Sequence, residues 1–136
     1  MTAFAFTDAY IEINSIPASA WAKSVTLDVE VTDLDSTTFG GGGWKSVIGG
    51  LKSGSIKIDF DQDFSASNVD ATLWPLLGTV FPVKIRATSA AKSVTNPEYS
   101  GNVLLTKYSP LTGSAGDLAE TSIEMPTSGA WTRATA

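Results

Sequence analysis

Three aspartates recur at alternate positions, Asp59, Asp61 and Asp63. If that stretch is a strand, all three lie on one face. Two such carboxylates could work as an acid and base pair, or together hold a hard cation. The plainer reading of the same spacing is solvated charge on the outer face of a half-buried strand. The chain contains no histidine and no cysteine. The usual imidazole base, thiolate nucleophile and transition-metal ligands are therefore missing, and no disulfide can staple the fold. The run Gly40, Gly41, Gly42, Gly43 lacks the spacing and the closing Lys-Ser/Thr of a phosphate-binding loop, and no strand-to-helix context of the dinucleotide-binding kind surrounds it. A hinge or a close backbone approach is the simpler use of such glycines. Trp21, Trp44, Trp74 and Trp131 could stack on sugar rings, but their spacing gives no platform. No catalytic residue, cofactor site or metal site is expected, and the chain does not read as an enzyme.

The elements that would position these residues are mostly strands. Val25, Leu27, Val29 and Val31 alternate with Thr26, Asp28, Glu30 and Thr32, the two-residue period of a half-buried strand. The period returns at Ile56, Ile58 and Phe60, and again at Phe81, Val83, Ile85 and Ala87. Further β-like stretches run over 99–108 and 118–125, and more weakly over 10–13 and 130–132. Turn chemistry at Asn96-Pro97, Ser109-Pro110, Gly116-Asp117 and Ser128-Gly129 favours antiparallel hairpins. One segment has helical spacing: after Ser67 or Asn68 as N-cap, Val69, Leu73, Leu76 and Leu77 share a face. Pro75 should bend or shorten that helix. Trp74 falls within the same pattern and is expected in the core.

Between two well-marked strands lies a stretch too long for a tight hairpin. It is expected as an extended loop at about 33–52 inside a single domain spanning 1–136. Loops of this length are usually functional or disordered, and this one carries Phe39, Trp44, Val47, Ile48 and Leu51, side chains that call for burial. Trp44 would find it in a neighbouring molecule, as an interface hot spot, or in its own core. At 17% charged residues and 43% hydrophobic, the surface has fewer charges than usual, a sign of burial against partners. The net charge of −5 argues against an electrostatic grip on nucleic acid, and would equally suit an acidic wall past which DNA slides. The first ten residues do not read as a signal peptide, and no run long enough to span a membrane occurs.

The stretch DSTTFGGGGWKSVIGGLKSGSIKIDFDQDF resembles the signature region of the tail tube proteins of long-tailed phages. SNVDATLWPLLGT and TNPEYSGNVLLTKYSPLTGSAGDLAETSIEMPTSGAWTR resemble the same family, in the family's order, so the resemblance covers about Val25 to Arg133. It implies a mainly β protein, an antiparallel sandwich or barrel-like domain with one short flanking helix and a long Gly-rich inter-strand loop. Copies would form rings, six to a ring, stacked into a hollow tube through which DNA passes without specific binding. Tape measure and terminator proteins would be further partners, and the place would be a virion tail assembled in the host cytoplasm. The resemblance implies that the loop reaches a neighbouring subunit, which makes Thr37, Phe39, Gly40, Gly41, Gly42, Gly43, Trp44, Ile48 and Leu51 candidate assembly residues. Asp28, Glu30, Asp59, Asp61, Glu120 and Glu124 are candidates to face the lumen. Lys57, Lys84 and Arg86 depart from a purely acidic wall, either mixing its sign or bridging subunits. Two other readings stand beside this one: an extracellular carbohydrate- or protein-binding β-sandwich, and the ring protein of a contractile secretion system.

Overall fold

Alternating sequence becomes alternating burial along the strands. In the computed structural model, which describes residues 3–136, Ile56, Ile58 and Phe60 are buried while Lys57 and Asp59 face away. Among the described residues eight strands form: β1 (Tyr10–Ile13), β2 (Ile16–Pro17), β3 (Ala22–Asp35), β4 (Val47–Asp61), β5 (Val80–Arg86), β6 (Glu98–Leu104), β7 (Lys107–Tyr108) and β8 (Glu120–Ala134). They make one open antiparallel sheet in the order β2-β1-β5-β6-β8-β4-β3, with β7 beside β8.

The sheet turns back on itself at β8. Residues 120–126 of that strand pair with β4, and residues 127–134 pair with β6. Between Ser100↔Thr132 and Asn102↔Ser128 the register shifts, and Gly129 there adopts φ 84°. An extra-residue bulge of this kind bends a strand and raises its twist. The expected Ser128-Gly129 turn is thus a bulge, and the two segments expected at 118–125 and 130–132 are one continuous strand. The bend folds the two halves of the sheet face to face. Ile11, Ile13, Phe81, Val83 and Val103 from one half meet Ile56, Ile58, Phe60, Ile123 and Met125 from the other in a single buried cluster.

The flanking helix α1 (Val69–Leu73) buries Val69 and Leu73 in that cluster. Pro75 stops it early: a 3-10 turn over Trp74–Leu76 follows directly, as the missing backbone donor requires. Trp74 is not in the core but 60% exposed, and Leu77 is exposed as well. The residue after an inward-facing one lies about a quarter turn around the helix, so once Leu73 takes the core Trp74 points outward. Asn68 occupies the N-cap position, yet its amide donates to Asp63 Oδ2 at 2.8 Å rather than capping the helix. Tyr108 fixes the helix to β7, donating from its hydroxyl to Asp70 Oδ1 at 2.7 Å. Burial, above all, pushes the Tyr108 phenol up to about 12.

The extended loop expected at about 33–52 is not a loop over most of that span. β3 runs to Asp35 and β4 starts at Val47, so only residues 36–46 connect them. Within that span Gly49 pairs with Asp33, because a ladder uses backbone groups and needs no side chain, and Gly50 falls in the bulge between Val31↔Lys52 and Asp33↔Gly49. A Cβ at Gly50 would stand 3.0 Å from the Thr32 carbonyl oxygen, a tight approach that glycine makes comfortable. β6 and β7 likewise replace the single stretch expected at 99–108.

Candidate assembly surfaces

Only the inner part of the β3–β4 hairpin rests on the body. β8 accompanies β4 from Asp61 to Ser55. Beyond Ser55 the two strands continue as a ribbon, with Val29 opposite Gly54, Val31 opposite Lys52, Leu34 opposite Ile48 and Asp35 opposite Val47. From Val29 to Asp35 the ribbon advances about 20 Å at the usual rise per strand residue. Its apolar side chains are open: Val29, Val31, Leu34, Val47, Ile48 and Leu51 are all exposed. A two-stranded ribbon is marginally stable at best in water without further packing.

Directly opposed residues of an antiparallel pair share a face. Val25, Leu27, Val29 and Val31 therefore lie on the core side of the sheet. A register shift in β4 between Val31↔Lys52 and Asp33↔Gly49 separates this stretch from the tip. There the apolar pair Leu34 and Ile48 lies on the other face, while Asp33 and Asp35 continue the core side.

The tip is closed by hydrogen bonds. Ser36 donates its backbone N–H to the Ser46 carbonyl at 2.9 Å, and the Ser46 N–H donates to Thr37 Oγ1 at 2.9 Å. The Thr37 N–H donates to Asp35 Oδ1 at 2.9 Å, and the Thr37 side chain and backbone hold the Asp35 carboxyl below its ordinary range. Phe39 is fully exposed and Trp44 is 81% exposed. Gly42 and Gly43 have φ 67° and 89° with open space about them, so they serve a left-handed turn rather than a close approach or a hinge. Of the candidate assembly residues, Phe39, Gly40, Gly41, Gly42, Gly43 and Trp44 sit at the tip, Thr37 at its neck, and Ile48 and Leu51 on β4. Sequence reasoning missed Val29, Val31 and Leu34, because alternation along β3 reads as core throughout; the shift of apolar residues from odd to even positions after Val31 was the available signal.

The six carboxylates proposed for a lumen come together. Asp28, Glu30, Asp59, Asp61, Glu120 and Glu124 occupy register positions on the outer face of the β3–β4–β8 half. Lys57 lies opposite Glu124 and Lys107 flanks it from β7. Lys23 bridges Glu120 and Asp61, the latter at 3.5 Å, and its contact with Glu120, chiefly, raises its pKa. The face is acidic with lysines interspersed. Asp63 leaves this row: it follows the end of β4, where its Oδ1 accepts the Ser65 N–H at 2.8 Å. The Ser65 backbone contact holds its carboxyl below the usual range. No cluster of His, Cys, Asp or Glu among the described residues could hold a metal ion.

Lys84 and Arg86 lie on the other half, and both have partners in their own chain. Lys84 faces Glu12 at 3.8 Å and Arg86 faces Glu98 at 3.6 Å. Arg86 also stands 4.0 Å over the Tyr10 ring. Trp131 packs over Gly101 and donates its indole N–H to the Asn102 carbonyl at 3.1 Å. Trp21 is half-buried against the core. The four tryptophans are thus dispersed and form no common platform. No helix among the described residues is long and apolar enough to cross a membrane.

No family model matches the sequence, and no curated protein matches it. Solved structures do. A chain from the virion of a native gene transfer agent particle superposes with a TM-score of 0.76 at 18% identity, over 98% of this chain and 100% of that one. A chain from the tail of an empty gene transfer agent particle, determined with C6 symmetry, gives 0.77 at 17%, again over 98% and 100%. A chain from the sheath–tube complex of an extracellular contractile injection system in its extended state gives 0.67 at 14%, over 95% and 89%. The protein has the fold of these chains along nearly its whole length.

Proposed function

We propose that the protein is a structural tail tube subunit whose copies join into rings, six to a ring, that stack into a conduit for DNA. The observation that carries this reading is the β3–β4 arm. Apolar side chains on a ribbon extending about 20 Å past its own body stay about half or more exposed among the described residues. A long unpaired edge such as β3 is a hazard unless another chain covers it, and a ring covers every copy's edge in the same way. The full-length likeness to a chain from a tail of C6 symmetry supports the ring number. In this reading the acidic face of β3, β4 and β8 lines the bore, where negative charge disfavours lasting contact with DNA. Tape measure and terminator proteins are the further partners, and the finished tube belongs to a virion tail assembled in host cytoplasm. The chain does no catalysis.

The likeness to the contractile injection system chain favours a second reading within the same class, a ring protein of a contractile machine. Co-expression with a neighbouring sheath gene separates the two. Negative-stain imaging of the purified protein tests the shared claim. Rings or tubes support it; a particle that stays monomeric at high concentration, alone and with tail initiation proteins present, refutes it and favours the binding-module alternative.

A further inference from the structure

The folded sheet is open along one side. There the core side of β3 and the core side of the β5–β6 half leave an apolar groove of about 430 Å³, with Val25, Leu27 and Val29 on one wall and Ile85, Ala87 and Tyr99 on the other. Ile85 belongs to the buried cluster, and Val25 and Leu27 pack against it, so the groove continues the core. Closing it would take the apolar area of both walls out of water.

The residue at its mouth belongs to the same chain. Phe6 borders the groove, 55% exposed, in an edge-to-face pair with Phe4 at 6.4 Å between ring centroids. The segment that carries it crosses from β1 to β3: Phe6, Asp8 and Ile11 line a second, smaller cavity of about 180 Å³ together with Lys23 and Val25. One latch fastens this segment close to the groove. Asp8 Oδ2 accepts the Ser89 N–H at 3.2 Å and the Ser89 hydroxyl at 2.7 Å, and Ser89 stands just beyond Ala87 of the groove wall. Phe6 is so close in sequence to Asp8 that the chain between them reaches at most about 7 Å. The latch therefore keeps the Phe6 ring beside the groove at high local concentration. A cavity of about 150 Å³ already takes a benzene ring, so a phenyl side chain fits. We propose that residues 4–8 are a strap with two positions, hinged on the Asp8–Ser89 latch, and that closing it seats the Phe6 ring in the groove and completes the core of the free subunit. The open position leaves the groove walls and the Phe4–Phe6 pair in water; the closed one hides the apolar base of β3. The strap acts within one chain, so it does not depend on the self-assembly reading.

Equilibrium unfolding of the dispersed subunit in urea provides the test. Phe6→Ala is expected to raise the unfolding equilibrium constant at least about tenfold, as loss of a buried aromatic would. Phe4→Ala should change it less than about threefold, as replacement of an exposed residue does. Asp8→Ala, which releases the latch, should also weaken the fold, and Phe6→Ala in that background should add less than about threefold because the ring has already left its seat. Phe6→Leu keeps an apolar plug and should recover most of the loss. Both Phe6→Ala and Asp8→Ala should increase binding of the dye ANS, which reports exposed apolar surface, to the folded subunit. A smaller effect of Phe6→Ala, losses that add in full, or unchanged dye binding overturns the strap. A loss that varies with subunit concentration places the ring in a neighbour's groove and overturns closure within one chain.

Discussion

Leu34 and Ile48 face each other across the arm, 49% and 57% exposed. Because the two side chains stand on the arm, outside the buried cluster, replacing both with serine removes burial within the arm only and should leave the core's unfolding transition in place. Full burial of such a side chain contributes about 1.5–3 kcal/mol. Covering the open half in an assembled tube therefore contributes about 0.75–1.5 kcal/mol per residue, or about 1.5–3 kcal/mol for the pair, from the same scale. At a factor of ten for each 1.4 kcal/mol, the critical concentration of Leu34→Ser/Ile48→Ser should rise about ten- to a hundredfold. Sedimentation of tubes across a dilution series reads that concentration, and circular dichroism reads the melting temperature of the dispersed subunit. Ile58→Ala is the contrasting variant: Ile58 is fully buried, so about 2–5 kcal/mol of fold stability should be lost. If the arm double variant melts as early as Ile58→Ala, or polymerises at the parent's concentration, the arm is part of the core or idle, and the reasoning fails.

Other outcomes follow from single contacts. Gly101→Ala would place a Cβ 2.5 Å from the Trp131 ring; ejecting the indole should cost about 1–3 kcal/mol, read as an earlier thermal transition, whereas Trp131→Ala in the same background should add little further loss. The Tyr108 phenol has a folded pKa of about 12 against an ordinary 10.0, so the neutral form is the one the fold favours. Its contribution should be complete below pH 10 and fade as pH rises toward 12, and a Tyr108→Phe variant compared with the parent at pH 9 and pH 11.5 should lack that increment. Asp63, held below its usual range by Ser65, contributes above the ordinary carboxylate pKa and loses that contribution as pH falls through its lowered value; Asp63→Asn should flatten the acid limb of the melting curve, and an unchanged limb would count against the assignment. Asp59→Lys/Glu124→Lys should make assembled tubes retain short DNA duplexes at low salt and release them as salt rises, measured by co-sedimentation.

Much of the fold was legible because strands buried on one face write their pattern into the sequence. Val25 to Val31, Ile56 to Phe60 and Phe81 to Ile85 became strands at the expected phase, with β5 ending at Arg86 before Ala87. What sequence could not separate was core burial from exposure on the arm. Val29 and Val31 continue the alternation of Val25 and Leu27 without a break, yet they stand outside the body. Glycine misled twice in the same direction. Gly49-Gly50 fell within the stretch expected as a loop and Ser128-Gly129 read as a turn, but β4 and β8 run through them, each with a bulge at that point. Trp74 misled because helical spacing places a residue on a face without saying where Pro75 will end the helix. The six carboxylates share a face for a reason visible in the sequence, the parity of their positions within each strand. That three different strands would align them became apparent only from the register.

The central claim is that subunits complete their packing by surrounding a bore with copies of themselves. A helical reconstruction of the purified, polymerised protein by electron cryo-microscopy measures this directly. The expected map has six subunits per ring, Asp59 and Glu124 facing the channel, and each β3–β4 arm lying against a neighbouring chain. A map with the β3–β4–β8 carboxylates on the outside of the filament, or arms free in solvent, would contradict it.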